Sequence, residues 1–209
     1  MLKPIFNSFG GGRPTYMKSL DLLISNLVLF VPSFVYLIIT IIVPVIIGVP
    51  AFLISPSVGL LALFIESIIL GAALAVTLLV TQNMVSSSMN GVSPSLDSSF
   101  NSAIGGAKAS GVLVAIVGAY VIDYLLDFAG VGVLGSLILL IVVILVIPSL
   151  SVNGSFDVVL KGGYEKIRSV YLRDPLLALI LVVSSALILV PILNVFFIPY
   201  AIVLANMSS

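Results

Sequence analysis

SFDVVLKGGYEKIR, residues 155–168, holds five charged side chains, Asp157, Lys161, Glu165, Lys166 and Arg168, in a chain that has sixteen in all. Around it the sequence is apolar: 61% of the 209 residues are hydrophobic, 8% are charged, and the mean hydropathy is +1.37. Soluble domains carry about a quarter charged residues, so this composition is that of an integral membrane protein. With spans of ~20 residues, the length admits five or six of them in one helical domain.

The stretch has a counterpart upstream, SLDSSFNSAIGGAK at 95–108. Both begin Ser, apolar, Asp, repeat an apolar residue at the sixth and tenth places, and place a base at the fourteenth. Ser95 and Ser155 are expected to N-cap a helix, with Asp97 and Asp157 in the first turn facing the positive end of its dipole. Leu96, Phe100 and Ile104, like Phe156, Leu160, Tyr164 and Ile167, fall on one helical face. Two short amphipathic helices are predicted, each with its apolar face buried in the lipid boundary or the bundle. In the second, Asp157, Lys161 and Glu165 are spaced for weak i,i+4 pairing. Gly162 and Gly163 each cost a helix about 1 kcal/mol relative to Ala, so that helix needs a surface to fold on.

Each copy is followed by two apolar stretches with a break between them. The first pair is 109–128 and 133–150 around FAGVG; the second is 175–190 and 195–206 around Pro191 and Asn194. A third occurrence, SLDLLISNLVLFVP at 19–32, precedes stretches at 33–50 and 58–80. The expected all-α architecture is a polytopic transmembrane bundle of six spans in three hairpins, with repeat-like units 19–80, 95–150 and 155–209. Five spans is the alternative, with one long tilted C-terminal helix. Residues 1–18 read as a polar N-terminal segment. Its GGGRPTYMKS (10–19) is not a phosphate loop, because Met17 stands where that motif needs Gly before Lys. TQNMVSSSMNGVSPS (81–95) reads as a solvated connection.

All eight bases, Lys3, Arg13, Lys18, Lys108, Lys161, Lys166, Arg168 and Arg173, fall on the N-terminal side of the membrane in either topology. By the positive-inside rule that side is cytoplasmic in a cell-membrane, multi-pass protein. Lys108, Lys161, Lys166, Arg168 and Arg173 are then interfacial bases near lipid headgroups.

The repeated unit of Ser, apolar, Asp, a short helix ending in a base and then a hydrophobic hairpin covers residues 19–209. In this the chain resembles a broad group of polytopic proteins, including the membrane domain attached to some glycerophosphodiester phosphodiesterases, the Yip-type proteins, and uncharacterised bacterial and archaeal relatives. The resemblance implies a helical membrane domain with cytoplasmic interfacial helices and, in many members, no assigned catalysis. It carries over no active-site residue, and the soluble phosphodiesterase domain has no counterpart in this sequence.

The chemistry available is narrow. There is no His, Cys or Trp, which removes imidazole and thiolate groups and soft-metal ligands. The zero net charge argues against a nucleic-acid partner. No enzymatic activity and no cofactor are expected. Glu66, in LALFIESIILG, is the acid inside a span, expected either to bond Ser33, Thr40 or Ser184 or to bind a proton or cation. Asp123 and Asp127, in VIDYLLD, share a face near a span end; the Asp-Gly and Ala-Arg elements of a CDP-alcohol phosphotransferase are missing before them, as is the Gly-x-Gly-Asp of an intramembrane aspartyl protease. Asp123 joins Glu66 as a possible ion site. Gly111, Ala115 and Ala119 form a small-residue packing face suited to the bundle interior or to an oligomer. The expected partners are the lipid bilayer and other membrane subunits or a second copy. The expected role is an accessory or scaffold subunit or a bilayer-organising protein, with a small transporter or channel using Glu66 as the alternative.

Overall fold

The computed structural model describes residues 14–105 and 108–208, without the side chains of 108–110. Lys3, Arg13 and the side chain of Lys108 lie outside it. Among the described residues the chain is all helical, with no strand. Helix α1 (Thr15–Ser25) leads through a 3₁₀ turn (Leu27–Phe30) into α2 (Val31–Val43), a π-helical turn (Pro44–Gly48) and α3 (Val49–Ile54), then α4 (Pro56–Met89). Next come α5 (Leu96–Gly105), α6 (Lys108–Phe128) and α7 (Gly132–Ser149). Last are α8 (Phe156–Arg173), α9 (Pro175–Ala186) with a closing 3₁₀ turn (Leu187–Leu189), and α10 (Asn194–Met207). A short helix followed by a helix pair thus occurs three times.

Four stretches are long and apolar enough to cross a membrane: Leu27–Ile54, Pro56–Met89, Gly111–Phe128 and Gly132–Ser149. The C-terminal pair, Pro175–Leu189 and Asn194–Met207, is apolar but shorter. These are two helices and not the single long one of the five-span alternative. Arg173 Nη2 donates to Ser208 O at 3.0 Å, so the start of α9 and the end of α10 meet, as in an antiparallel hairpin.

Proline and its neighbours set several helix starts. Ser55 caps α4, its hydroxyl accepting from Val58 N at 3.2 Å, and Asp174 caps α9, accepting from Leu177 N at 3.0 Å. Each cap is followed by Pro56 or Pro175 at the first helical position, where a missing N–H is harmless. The expected cap at Ser155 is different: its hydroxyl donates to the Asp157 carboxylate beside it and accepts no bond from the α8 backbone N–H groups. At FAGVG the turn closes on Gly130, whose φ of +79° suits glycine.

Helix α4 is longer than the apolar pattern suggested. Its 34 residues measure about 51 Å at 1.5 Å per residue. The supposed connection at 81–95 is helical to Met89, with Thr81, Gln82, Met84 and Val85 buried. Polar side chains stay helical there because they bond within or between helices: Thr81 Oγ1 donates to Thr77 O at 2.8 Å and Ser87 Oγ to Asn83 O at 3.0 Å. Likewise Thr15 to Lys18 already belong to α1, inside the segment read as a polar N-terminus.

The centre of the bundle is α4 against α6 and α6 against α7. Gly71 of α4 sits so close to α6 that an added Cβ would lie 3.0 Å from the Val117 Cα. Gly111, Ala115 and Ala119 are buried inside the chain, and Gly111 fits beneath the Gly154 carbonyl at the entry to α8. That face therefore serves packing within the bundle. The first long helix is the most open, with only 11% of its apolar window buried against the rest.

Candidate functional site

Two places concentrate the chain's polar chemistry: the basic end of the bundle and the surroundings of Glu66. At the basic end, Ser19 of α1 lies against Met207 of α10, Oγ to Sδ 3.5 Å, and Arg173 reaches Ser208. Lys18, Lys161, Lys166, Arg168 and Arg173 all belong to α1 or α8, and Lys108 starts α6 beside Gly111, which touches Gly154 and Ser155. The opposite end holds the turn at Ser55 and the turn at 129–131, which Tyr124 brings together by donating to Leu60 O at 2.7 Å. Neither turn has a base.

Helices α5 and α8 sit at the basic end, and the bundle itself buries only part of their expected apolar faces. In α5 the buried residues are Ser99 and Ala103, while Leu96, Phe100 and Ile104 are exposed at 39%, 46% and 58%. In α8 Val159, Gly163 and Val170 are buried, Leu160 and Ile167 of the expected face pack half-buried against the core, and Phe156 and Tyr164 are exposed at 43% and 58%. The buried pairs Ser99/Ala103 and Val159/Gly163 occupy the same two places of the two related stretches. The fifth place is also buried in the first copy, at Leu23, with Ile24 exposed beside it.

The reason is steric. An added Cβ on Gly163 would lie 1.8 Å from the Leu145 carbonyl oxygen, so α8 rests backbone to backbone on α7. Gly162 has room, its nearest neighbour being Val152 at 3.4 Å. Small residues dock the helices, and the larger apolar stripe of Phe156 and Tyr164 is left outside. On the polar side, the Ser155 hydroxyl, with a smaller contribution from Lys161, holds the Asp157 carboxyl below its ordinary range. Burial of the half-buried Lys166 pushes its ammonium below its ordinary value.

Sequence reasoning missed a polar clamp at this end. Gln82 Nε2 donates to Asn206 Oδ1 at 3.1 Å while Asn206 Nδ2 donates back to Gln82 Oε1 at 2.8 Å. Each amide is satisfied by the other, tying α4 to α10. Asn83 adds a bond from Nδ2 to Ser99 O at 3.2 Å, tying α4 to α5. The available signal was a pair of amides in otherwise apolar surroundings, but nothing in spacing joins residues 124 apart.

Glu66 is 5% exposed, and no hydrogen bond reaches its Oε1. None of the three expected partners bonds it. Thr40 donates to Leu37 O and Ser184 to Leu181 O, and the Ser33 hydroxyl is itself buried without a partner. The carboxyl instead lies over Gly48, where an added Cβ would come 2.4 Å from Oε1. Gly48 ends the π-helical turn Pro44–Gly48. Asp123 faces another way: its Oδ1 accepts from Ser136 of α7 at 3.1 Å and lies against Gly135. The two acids expected to share an ion site thus point to different helices. Asp127 is exposed, with its carboxylate against Gly132 at the turn.

The chain matches no family model, no curated protein and no solved structure. Among the described residues no three His, Cys, Asp or Glu side chains group as metal ligands. A groove of about 440 Å³ opens between the first long helix, α4 and α5, lined by Pro32, Val35, Ile39, Ala73, Val76 and Phe100 with Asp97 beside them. Its walls suit hydrocarbon and not a polar substrate.

Proposed function

We propose that the chain is a non-enzymatic, multi-pass protein of the cell membrane with a cytoplasmic N-terminus, acting as an accessory or scaffold subunit or as a bilayer-organising protein. The observation that carries this reading is the two-faced construction of α5 and α8: small residues dock them on the bundle, while Leu96, Phe100, Phe156 and Tyr164 point away from it at the basic end. At an interface those side chains would enter the acyl boundary and the bases beside them would meet anionic headgroups. The open first long helix offers a further apolar face for lipid, another subunit or a second copy. The order of short helix and helix pair fits the resemblance to phosphodiesterase-attached and Yip-type membrane domains, which is proposed on that ground.

For the crossings we propose four full spans and a C-terminal hairpin that enters from the cytoplasmic side and returns. Phe196, near the hairpin tip, stacks on Phe30 with ring centroids 6.2 Å apart. Phe30 lies at the start of the first long helix, about 36 Å along the helix axis from Ile54 at 1.5 Å per residue. Six crossings, the alternative, would require the tip to reach the level of Ser55.

A second reading, a small transporter or channel using Glu66, is favoured by its buried Oε1, which has no hydrogen-bond partner. Purification from native membranes under mild detergent tests the first: a stoichiometric membrane complex supports an accessory subunit. Proton- or cation-coupled flux in proteoliposomes that disappears in Glu66→Gln would overturn the scaffold in favour of transport.

A further inference from the structure

Ionised carboxylates inside hydrocarbon need a counter-ion, and the surroundings of Glu66 supply none. The first long helix, Leu27–Ile54, has no Asp, Glu, Lys or Arg; its titratable group is Tyr36, whose hydroxyl pairs with that of Tyr120 at 2.9 Å. On α6 the candidates are Tyr120, Asp123, which is turned to Ser136, Tyr124, which donates to Leu60 O, and Asp127, which lies against Gly132. On α5 there is Asp97, beside the groove formed with Ala72 to Val80. On α10 there is Tyr200, stacked on Phe196. Among the described side chains of these helices there is no Lys or Arg.

A desolvated cation such as sodium or calcium takes about six or more oxygen ligands, and one carboxyl in an apolar wall does not provide them. A proton needs one carboxyl oxygen and leaves the side chain neutral, the form that an apolar surrounding favours. Gly48 supplies the space, since any side chain there would collide with the carboxyl.

We propose that Glu66, seated over Gly48 in the turn Pro44–Gly48, is a proton-binding site inside the bundle, loaded at neutral pH and closed to metal cations. A proton names the ion for the transport reading, yet the loaded carboxyl exists whether or not ions are moved.

Infrared difference spectra of the full chain in lipid vesicles test this directly. Wild type minus Glu66→Gln at pH 7 is expected to show the carbonyl band of one protonated carboxylic acid, which fades only in alkaline buffer. Sodium or calcium chloride should leave the band unchanged. Asp123→Asn should retain it. A second measurement reads the same state chemically: dicyclohexylcarbodiimide adds the carboxyl O–H across its C=N bond and, after acyl transfer to nitrogen, leaves a stable adduct whose formation needs the acid form. One adduct on Glu66, absent from Glu66→Gln, agrees with the proposal. Absence of the acid band at pH 7, or its loss on adding either salt, overturns it. Flux measurements are separate, so a loaded Glu66 without flux removes the transport reading and leaves the proton site standing.

Discussion

Gly162 and Gly163 of α8 are adjacent and chemically identical, but they meet different neighbours, and replacing each by Ala separates packing from propensity. Either change gains about 1 kcal/mol of helix propensity, so this term cancels when the two variants are compared. At Gly162 the new methyl meets Val152 at an ordinary 3.4 Å. At Gly163 it would lie 1.8 Å from the Leu145 carbonyl oxygen and 2.7 Å from its carbon. Those are backbone atoms of a neighbouring helix, so α8 must move as a body. Overpacking of this kind costs about 1–3 kcal/mol, and each 1.4 kcal/mol is tenfold in an equilibrium. Amide exchange across 156–170, followed by mass spectrometry in vesicles, is the assay, because local detachment of α8 exposes those amides. Gly163→Ala should exchange roughly tenfold or more faster than Gly162→Ala, which should match or undercut wild type. Equal exchange in the two variants would refute the backbone-to-backbone docking of α8 on α7.

Other outcomes follow from the same structure. Gln82→Leu and Asn206→Leu should each lower thermal stability in detergent by about 1 kcal/mol, in the range of interhelical hydrogen bonds in membranes, and the double variant should recover part of the loss; strictly additive losses would show that the two amides are not coupled. Single cysteines at Ser57 and Val131 should react with an impermeant thiol reagent from outside cells and those at Asn90 and Ser155 should not, while Ile192→Cys stays unreactive for four spans and becomes reactive for six. Lys166 is held below its ordinary value by burial, so the folded state disfavours its charged form; stability from this group should rise with pH between the lowered folded value and the unfolded one. Lys166→Met is therefore expected to raise the midpoint of thermal unfolding at neutral pH, with a gain that shrinks toward alkaline pH, and a constant gain at all pH values would contradict that cause.

Much of the helical order was legible because prolines and glycines punctuate an otherwise apolar chain. FAGVG, Pro56 and the break near Pro191 fall where the helices turn. The faces of α5 and α8 were less legible. Hydropathy singles out large apolar residues such as Phe100 and Tyr164, but close docking needs small ones, and Ser99, Ala103 and Gly163 have no hydropathic signature. The extension of α4 to Met89 was hidden for a related reason. A Ser-rich stretch looks like a loop until its hydroxyls bond back along the helix and Gln82 finds Asn206. Glu66 was visible as an anomaly, whereas its neighbour Gly48 depends on the way two long helices cross.

The turns opposite the basic end have a consequence for anything that would recognise this chain from there. Between α3 and α4 only Ser55 is non-helical, and residues 129–131 alone join α6 to α7. That end offers almost no polypeptide to grip: no flexible loop for a protease, no basic residue for an acidic ligand, and little surface for an antibody. In the four-span reading proposed above, inserting each of these helix pairs would move next to no polar chain across the bilayer. In that reading, recognition of the protein would be left to its apolar flanks and to the end where the bases lie.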